Sequence, residues 1–309
     1  MVLRPANLDE LTTSLAAANE RGEPVGSFDL AALNRLLEHK PEDMTATAEA
    51  GLTLAEFQKQ LATRGQWLAV DPPNAERLTL GALLATNASG PRRFGCGTVR
   101  DYVIGLKVAL ADGKFISPGG KVVKNVAGYD LGKLFIGSRG TLGVIVEVTF
   151  MLRPLPETER FVQARCESLE DSGRLLEKVL DSDLAPVVVD LHKLSASDRG
   201  FCLVLGFAGT GPDVEWQLGR AASLGVAEPA TLDYERTFWS AAGMVQKISV
   251  LPSRLIETLR EIPAPFVARA GNGIVYHRGA TVSKPVEPLS KLSQRLKQTW
   301  DPKNILPSL

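Results

Sequence analysis

The sequence predicts an α+β chain in which a first mixed domain is followed by a second domain with an antiparallel sheet and helices on one side. Three observations carry that expectation. In the first half, helices with legible caps alternate with short strands. A double-proline break, Arg153-Pro154-Leu155-Pro156, then interrupts the chain. Beyond it, the element order β-α-β-β occurs twice. The expected boundaries are residues 1–153 for the first domain and 154–288 for the second. Residues 289–309 form a closing helix and tail that return to the first domain.

Each element has its own signal. Asn7, three residues before Glu10, opens a helix with Leu8, Leu11 and Leu15 on one face, and Gly22 closes it. Met44 to Ala50 reads as a short strand. Thr53 and Glu56 open a second helix carrying Leu54, Phe57 and Leu61, which ends near Gly65. Asp112-Gly113 between Val103–Leu110 and Phe115-Ile116 is a hairpin signal. The β-branched run from Val144 to Leu152 reads as a buried strand. Proline cannot donate to a sheet ladder, so Pro154 ends it. In the second half, strand Phe161–Cys166, helix Ser168–Leu180, and strands Val187–Leu191 and Phe201–Phe207 make one unit. A helix from Val214 to Leu224 follows. Strand Val245–Leu251, helix Arg254–Ile262, and strands Phe266–Ala270 and Ile274–His277 make the second. The last helix runs from Leu289 to Trp300.

Composition narrows the function. Of 309 residues, 44% are hydrophobic and 23% charged, the proportions of an ordinary globular chain. Basic and acidic residues number 35 each, so no charge excess draws the chain to nucleic acid or anionic lipid. No apolar run reaches the roughly 20 residues of a membrane span. The first ten residues are acidic early and lack an apolar stretch, so no signal peptide is expected. Cys96, Cys166 and Cys202 have no CxxC spacing, which argues against a zinc or iron–sulfur site, and no metal is expected. A reducing cytoplasm is the expected setting, with attachment to the inner membrane face only through partners.

Glycine is concentrated between Gly81 and Gly143, beside small hydroxyl and amide residues: Thr79-Leu80-Gly81, Asn87-Ala88-Ser89-Gly90, Gly95-Cys96-Gly97-Thr98, Gly119-Gly120 and Gly137-Ser138-Arg139-Gly140-Thr141-Leu142-Gly143. Such loops expose backbone N–H groups and let the main chain approach a ligand. Any one of them serves a turn equally well; together they point to a bulky, phosphate-bearing ligand. No GxGxxG opens a helix after the first strand and no P-loop is present, which disfavours both of those nucleotide sites.

These motifs, with Asp71-Pro72-Pro73, Lys121 to Leu131 (KVVKNVAGYDL) and Gly140 to Ile145 (GTLGVI), resemble the FAD-binding half of the vanillyl-alcohol-oxidase, or PCMH-type, flavoprotein family. Within it, the KNVAGYDL and GTLGVI pair is most similar to the small FAD-binding subunit of bacterial glycolate oxidases. Asp301-Pro302-Lys303-Asn304-Ile305-Leu306 resembles the family's closing segment. The resemblance implies a PCMH-type FAD-binding domain followed by a cap. It implies FAD contacts from Pro72, Thr79, Gly81, Asn87, Ser89, Gly90, Gly140, Gly143 and Ile145. It also implies oxidation of a small 2-hydroxy acid, with a larger FAD-linked subunit and an iron–sulfur subunit as partners. Gly140→Val is expected to abolish flavin retention at little cost to folding. Lys124 and Tyr129 read as structural, and Cys96 as a packed thiol rather than a covalent flavin anchor.

The sequence departs from the family twice. The glycine-rich loop that wraps the pyrophosphate is cut to little more than Gly26-Ser27, which removes backbone donors. Histidine is scarce: only His39, His192 and His277 are present. Oxidising a 2-hydroxy acid needs a base and a cationic anchor for the carboxylate. His277 and Arg269 are the candidates, and catalysis on this chain stays open. Two other readings remain: a flavin-free docking subunit of such a complex, and a stand-alone FAD-dependent alcohol oxidoreductase.

Overall fold

The computed structural model describes residues 1–120, 130–279 and 291–308. Lys124 and Tyr129, the expected boundary at residue 288 and the expected helix start at Leu289 lie outside the described residues. Two compact units are present. The first comprises residues 1–88, 98–155 and 285–309; the second comprises 89–97 and 156–284. Segment 89–97, placed in the first domain by the sequence reading, therefore packs with the second unit.

The first unit centres on a five-stranded antiparallel sheet. Its strands are β1 (Leu36–Lys40), β2 (Thr45–Glu49), β3 (Val103–Ala109), β4 (Phe115–Ile116) and β5 (Val144–Met151), in the order β1-β2-β5-β3-β4. The run of Val and Ile in β5 suits its central place between β2 and β3, because a strand paired on both edges contributes most to the core. Helix α1 (Leu8–Arg21) starts where the Asn7 side chain accepts the Glu10 N–H and stops at Gly22, whose φ is 66°. Its face of Leu11, Leu15 and Ala18 packs on Val144 and Val146 of β5, together with Val25, Ile305 and Leu306. Burying each large side chain of that face stabilises the unit by about 1.5–3 kcal/mol. Helix α2 (Leu54–Ala62) is capped by Thr53 and sets Phe57 against Phe150, ring centroids 5.5 Å apart. Arg153-Pro154 pairs only with Gln66-Trp67, an edge ribbon that tolerates the missing proline donor.

The second unit is a seven-stranded antiparallel sheet built from the repeated β-α-β-β order. The first repeat is β6 (Thr158–Cys166), α4 (Leu169–Leu180), β7 (Val188–Lys193) and β8 (Phe201–Gly209). Helix α5 (Gly211–Ser223) and the two-residue strand β9 (Glu228–Pro229) follow, then helix α6 (Asp233–Ser240). The second repeat is β10 (Gln246–Ser249), α7 (Leu255–Arg260), β11 (Phe266–Arg269) and β12 (Ile274–His277). The sheet order is β9-β6-β8-β7-β11-β12-β10. In each repeat the third strand lies between the first and second, and the repeats join through their second strands, β7 and β11.

Helices α4, α5 and α7 cover one face of this sheet with Leu176, Val179, Val214, Ala221, Leu255 and Leu259. The expectation of helices on one side alone is corrected by α6, which packs Tyr234 and Phe238 against Val204, Val267 and Ile274 on the other face. The sequence hides α6 because Leu232 offers no side-chain cap and the helix is short and aromatic.

Candidate functional site

Within the first unit, a cavity of about 260 Å³ runs along helix α3 (Leu80–Thr86). Thr79, Gly81, Ala82 and Ala85 form one wall, Ser138, Arg139, Gly140, Gly143 and Ile145 another, and Gly26, Ser27, Phe28, Leu30 and Pro307 close it. Five of the nine residues assigned to FAD thus meet at one place: Thr79, Gly81, Gly140, Gly143 and Ile145. Phe28, Arg139 and Pro307 were missed. Arg139 alone had a local signal, its place inside a GSRG turn.

Local hydrogen bonds explain how the walls are held. Thr79 Oγ1 accepts the Ala82 N–H and caps α3, while the Leu80 and Gly81 N–H groups donate to Leu52 and Ala50 carbonyls. The first turn of α3 is therefore already satisfied and acts as a wall rather than a phosphate cup. The loop after Phe135 crosses the end of the helix: Gly137 N–H donates to Leu84 O and Arg139 N–H to Ala85 O. Arg139 sits at φ 55°, a left-handed conformation that costs such a residue about 1–2 kcal/mol, while Asn87 at φ 47° makes the ordinary left-handed cap of the helix end. Strain of this kind collects where surrounding structure holds a functional loop in place.

The two loop glycines do different work. Gly140 has φ 77°, and a Cβ there would meet nothing within 4 Å, so its glycine requirement is conformational and the space before it is open. A Cβ on Gly143 would come within 2.7 Å of Val108 Cγ1 and 3.1 Å of the Phe135 ring, a packing requirement. A Cβ on Gly81 would likewise come within 3.1 Å of Ala50. Among the described residues, the N–H groups of Gly140 and Gly143 find no acceptor and the exposed Arg139 guanidinium forms no ion pair. Asn87 Oδ1 is buried without a hydrogen-bond donor. Free backbone donors and a free cation on the cavity wall suit a dianionic diphosphate.

The remaining assigned residues fall elsewhere. Pro72 is buried outside the cavity, and Asn87 caps the end of α3 without lining it. Ser89 and Gly90 are buried in the second unit, where Arg93 donates to Ser89 Oγ at 3.0 Å. Cys96 is a buried thiol of the same segment.

The two catalytic candidates do not form a site together. β11 and β12 pair Phe266 with His277 and Arg269 with Ile274. Side chains alternate along a strand, so Arg269 shares a face with Val267 and Tyr276, and His277 shares the opposite face with Phe266, Ala268 and Val275. Arg269 is 1% exposed and already engaged: it reaches Asp190, and holds Glu235 through two contacts of 2.7 Å. Tyr234 donates to Asp190 Oδ2 at 2.6 Å, and His192 stacks on the Tyr234 ring at 4.4 Å. Burial raises the Asp190 carboxyl to about 7 against the pull of Arg269, and burial lowers His192 to about 4. Arg269 is the cation of an internal cluster: both terminal nitrogens are held by Asp190 and Glu235, and its Nε is buried out of reach of a substrate carboxylate. His277 is fully buried, both ring nitrogens lack a partner among the described residues, and burial lowers its pKa. It holds no orienting group of the kind a general base uses.

Residues 26–118 match the FAD binding domain family, and the match begins at Gly26 on the cavity wall. The chain is 32% identical over 208 residues to "Glycolate oxidase subunit GlcD" of Bacillus subtilis (strain 168), covering 61% of this chain and 44% of that protein. It is 38% identical over 138 residues to "Glycolate oxidase subunit GlcE" of Escherichia coli (strain K12), covering 44% and 39%. It is 36% identical over 219 residues to a D-lactate dehydrogenase of Archaeoglobus fulgidus, covering 65% and 49%. The chain thus spans less than half the length of these relatives. The structure of an alkyldihydroxyacetonephosphate synthase shares the fold, with a TM-score of 0.75 at 17% identity, covering 100% of this chain and 77% of that one. No helix among the described residues is long and apolar enough to cross a membrane.

Proposed function

We propose that this chain, a member of the PCMH-type FAD-binding flavoproteins and hence of an FAD-dependent oxidoreductase family, is the FAD-binding subunit of a complex that oxidises a small 2-hydroxy acid to the 2-oxo acid. One observation carries the reading: motif residues scattered from Thr79 to Ile145 meet at a single cavity with free backbone donors. The names of the glycolate oxidase subunits and the D-lactate dehydrogenase support the substrate class.

When bound, FAD would supply the acceptor for the hydride that carries both electrons of such an oxidation, while the hydroxyl proton leaves to a base. The chain's own residues bind and orient it. Gly140 and Gly143 N–H groups would donate to diphosphate oxygens, the Thr79 hydroxyl proton is free for the same use, and Arg139 would oppose the negative charge. Phe28, Leu30 and Ile145 supply apolar wall that excludes water. The base for the substrate hydroxyl and the anchor for its carboxylate come from the larger FAD-linked partner, since Arg269 is engaged and His277 faces away from it. An iron–sulfur partner takes the electrons onward.

The test is direct. The purified chain should take up FAD, shown by the flavin absorption bands, and glycolate or D-lactate should leave those bands unbleached under anaerobic conditions. Adding the larger flavoprotein and iron–sulfur subunits should restore substrate oxidation. Failure to retain or take up FAD would overturn the binding role, and bleaching by substrate in the isolated chain would overturn the division of labour.

A further inference from the structure

Lys297 is a lysine that the proposed function leaves unused. It lies on helix α8 (Lys291–Trp300), 8% exposed, with its Nζ enclosed by four acceptors. These are Asp301 Oδ2 at 2.6 Å and the carbonyls of Thr141 at 2.9 Å, Pro307 at 3.0 Å and Leu306 at 3.2 Å. An ammonium has three protons, so every one is spent inside the protein. Asp301 is 1% exposed and accepts the N–H groups of Ile305 and Leu306 at 2.9 and 2.8 Å, which folds the tail back over the helix end.

The acceptors belong to segments that wall the cavity. Thr141 sits between Gly140 and Gly143, and Pro307 lines the cavity itself. Two residues before Pro307, Ile305 O accepts the N–H of Val25, the residue just before Gly26 and Ser27, at 2.6 Å. One ammonium thereby ties the 138–143 loop to the tail, and the backbone bond from Val25 to Ile305 ties that tail to the segment leading into 26–28. Burying a lysine is costly unless its charge is paired and its donors are satisfied. Surface lysines close tails without that cost; here the cation sits behind the cavity wall.

We infer that Lys297 is a positioning residue for the FAD cavity: with Asp301 it locks the C-terminal tail against the 138–143 loop, so that the tail replaces wall lost with the shortened Gly26-Ser27 loop. The inference rests on the reading of this cavity as the FAD site, and its test separates the two.

Lys297→Met keeps the stem and removes the ammonium. FAD affinity of the folded apoprotein is read by flavin fluorescence, the environment of bound flavin by visible circular dichroism, and loop order by amide hydrogen exchange. The variant should bind FAD about tenfold or more weakly, because a pre-organised wall is lost. Its residual bound flavin should show an altered dichroic band. Exchange should quicken in peptides spanning 24–28 and 137–143 and stay unchanged in β7 and β8. Pro307→Gly keeps the carbonyl that Lys297 holds but removes wall, and should weaken FAD about threefold without loosening 137–143. It also serves if Lys297→Met does not fold. Affinity within about twofold of wild type in folded Lys297→Met, or in Pro307→Gly if that alone folds, would overturn the inference. If wild type takes up no FAD, the proposed function fails, and the locking role then stands or falls on the exchange of 24–28 and 137–143 alone.

Discussion

Arg269 and His277 lie on adjacent strands of one sheet, and pleating sends them to opposite faces. The first ends in a cluster with Asp190, Glu235 and Tyr234; the second ends against apolar packing with neither nitrogen bonded among the described residues. Two residue types that together would suit hydroxy-acid oxidation are thus separated by the thickness of the sheet. Their chemistry is structural in one case and silent in the other.

Arg269→Met should destabilise the chain by about 3–5 kcal/mol, because it removes the cation that pairs the buried Asp190 carboxyl and the half-buried Glu235 carboxylate. Arg269→Lys should recover only part of that loss, since a single ammonium cannot repeat the two parallel contacts to Glu235. Urea unfolding measures both. A loss below about 1 kcal/mol for Arg269→Met would show that Asp190 and Glu235 do not depend on it.

His277→Leu should leave stability unchanged or raise it, by up to about 1–3 kcal/mol, the cost of an unsatisfied buried polar group. FAD uptake should be unaffected. A clear destabilisation would mean that a ring nitrogen has a partner in the folded protein, and loss of FAD would place it at the cofactor.

Legibility followed the range of the interactions. Helix α1 was readable because Asn7, Glu10 and Gly22 act within a few residues of one another. The repeated β-α-β-β order was readable because each strand declares its own period. Helix α3 was not, since its seven residues include a glycine and Thr79 lacks an acidic partner three positions on. The site was legible as a set of glycine loops, but not as a cavity, because Pro307 joins it from the far end of the chain. The fate of Arg269 was beyond reach: its partners Asp190 and Glu235 are 79 and 34 residues away. Local charge patterns carry no trace of such a contact.

Gly140 and Gly143 should respond differently to substitution. Gly140→Val forces a β-branched residue to φ 77° and should cost about 1–2 kcal/mol or more, which corrects the expectation of little cost to folding. Gly140→Asn tolerates that backbone, and its side chain enters open space; the variant should fold and bind FAD more weakly. Gly143→Ala should cost about 1–3 kcal/mol by pressing on Val108 and Phe135. Thermal melts of the apoproteins and FAD titrations separate the cases. Undiminished FAD affinity in Gly140→Asn would remove Gly140 from the site.

The acid response of the second unit should reveal opposed titrations of Asp190 and His192. Folded Asp190 titrates at about 7 because burial outweighs the Arg269 attraction, against 3.8 when exposed. Between those values the folded chain holds a proton that the unfolded chain has released, so this group's contribution is full at low pH and is lost as pH rises. Folded His192 titrates at about 4, against 6.5 when exposed, so in that interval the unfolded chain holds the extra proton. Its contribution is present above 6.5 and is lost on acidification. His277, lowered by burial, acts in the same direction as His192. Each fully offset proton is worth about 1.4 kcal/mol per pH unit. Wild type should therefore lose stability only moderately between about pH 6.5 and 4.5, one histidine being cancelled by Asp190. Asp190→Asn removes the cancelling group and should steepen that loss by up to about 1.4 kcal/mol per pH unit. His192→Gln should flatten it. Urea midpoints at several pH values across the interval give the slopes, and the comparison is of slopes, so a uniform destabilisation by either substitution leaves it intact. Parallel slopes in wild type and Asp190→Asn would mean that Asp190 stays ionised beside Arg269 throughout, and that the cluster with Glu235 carries its full negative charge.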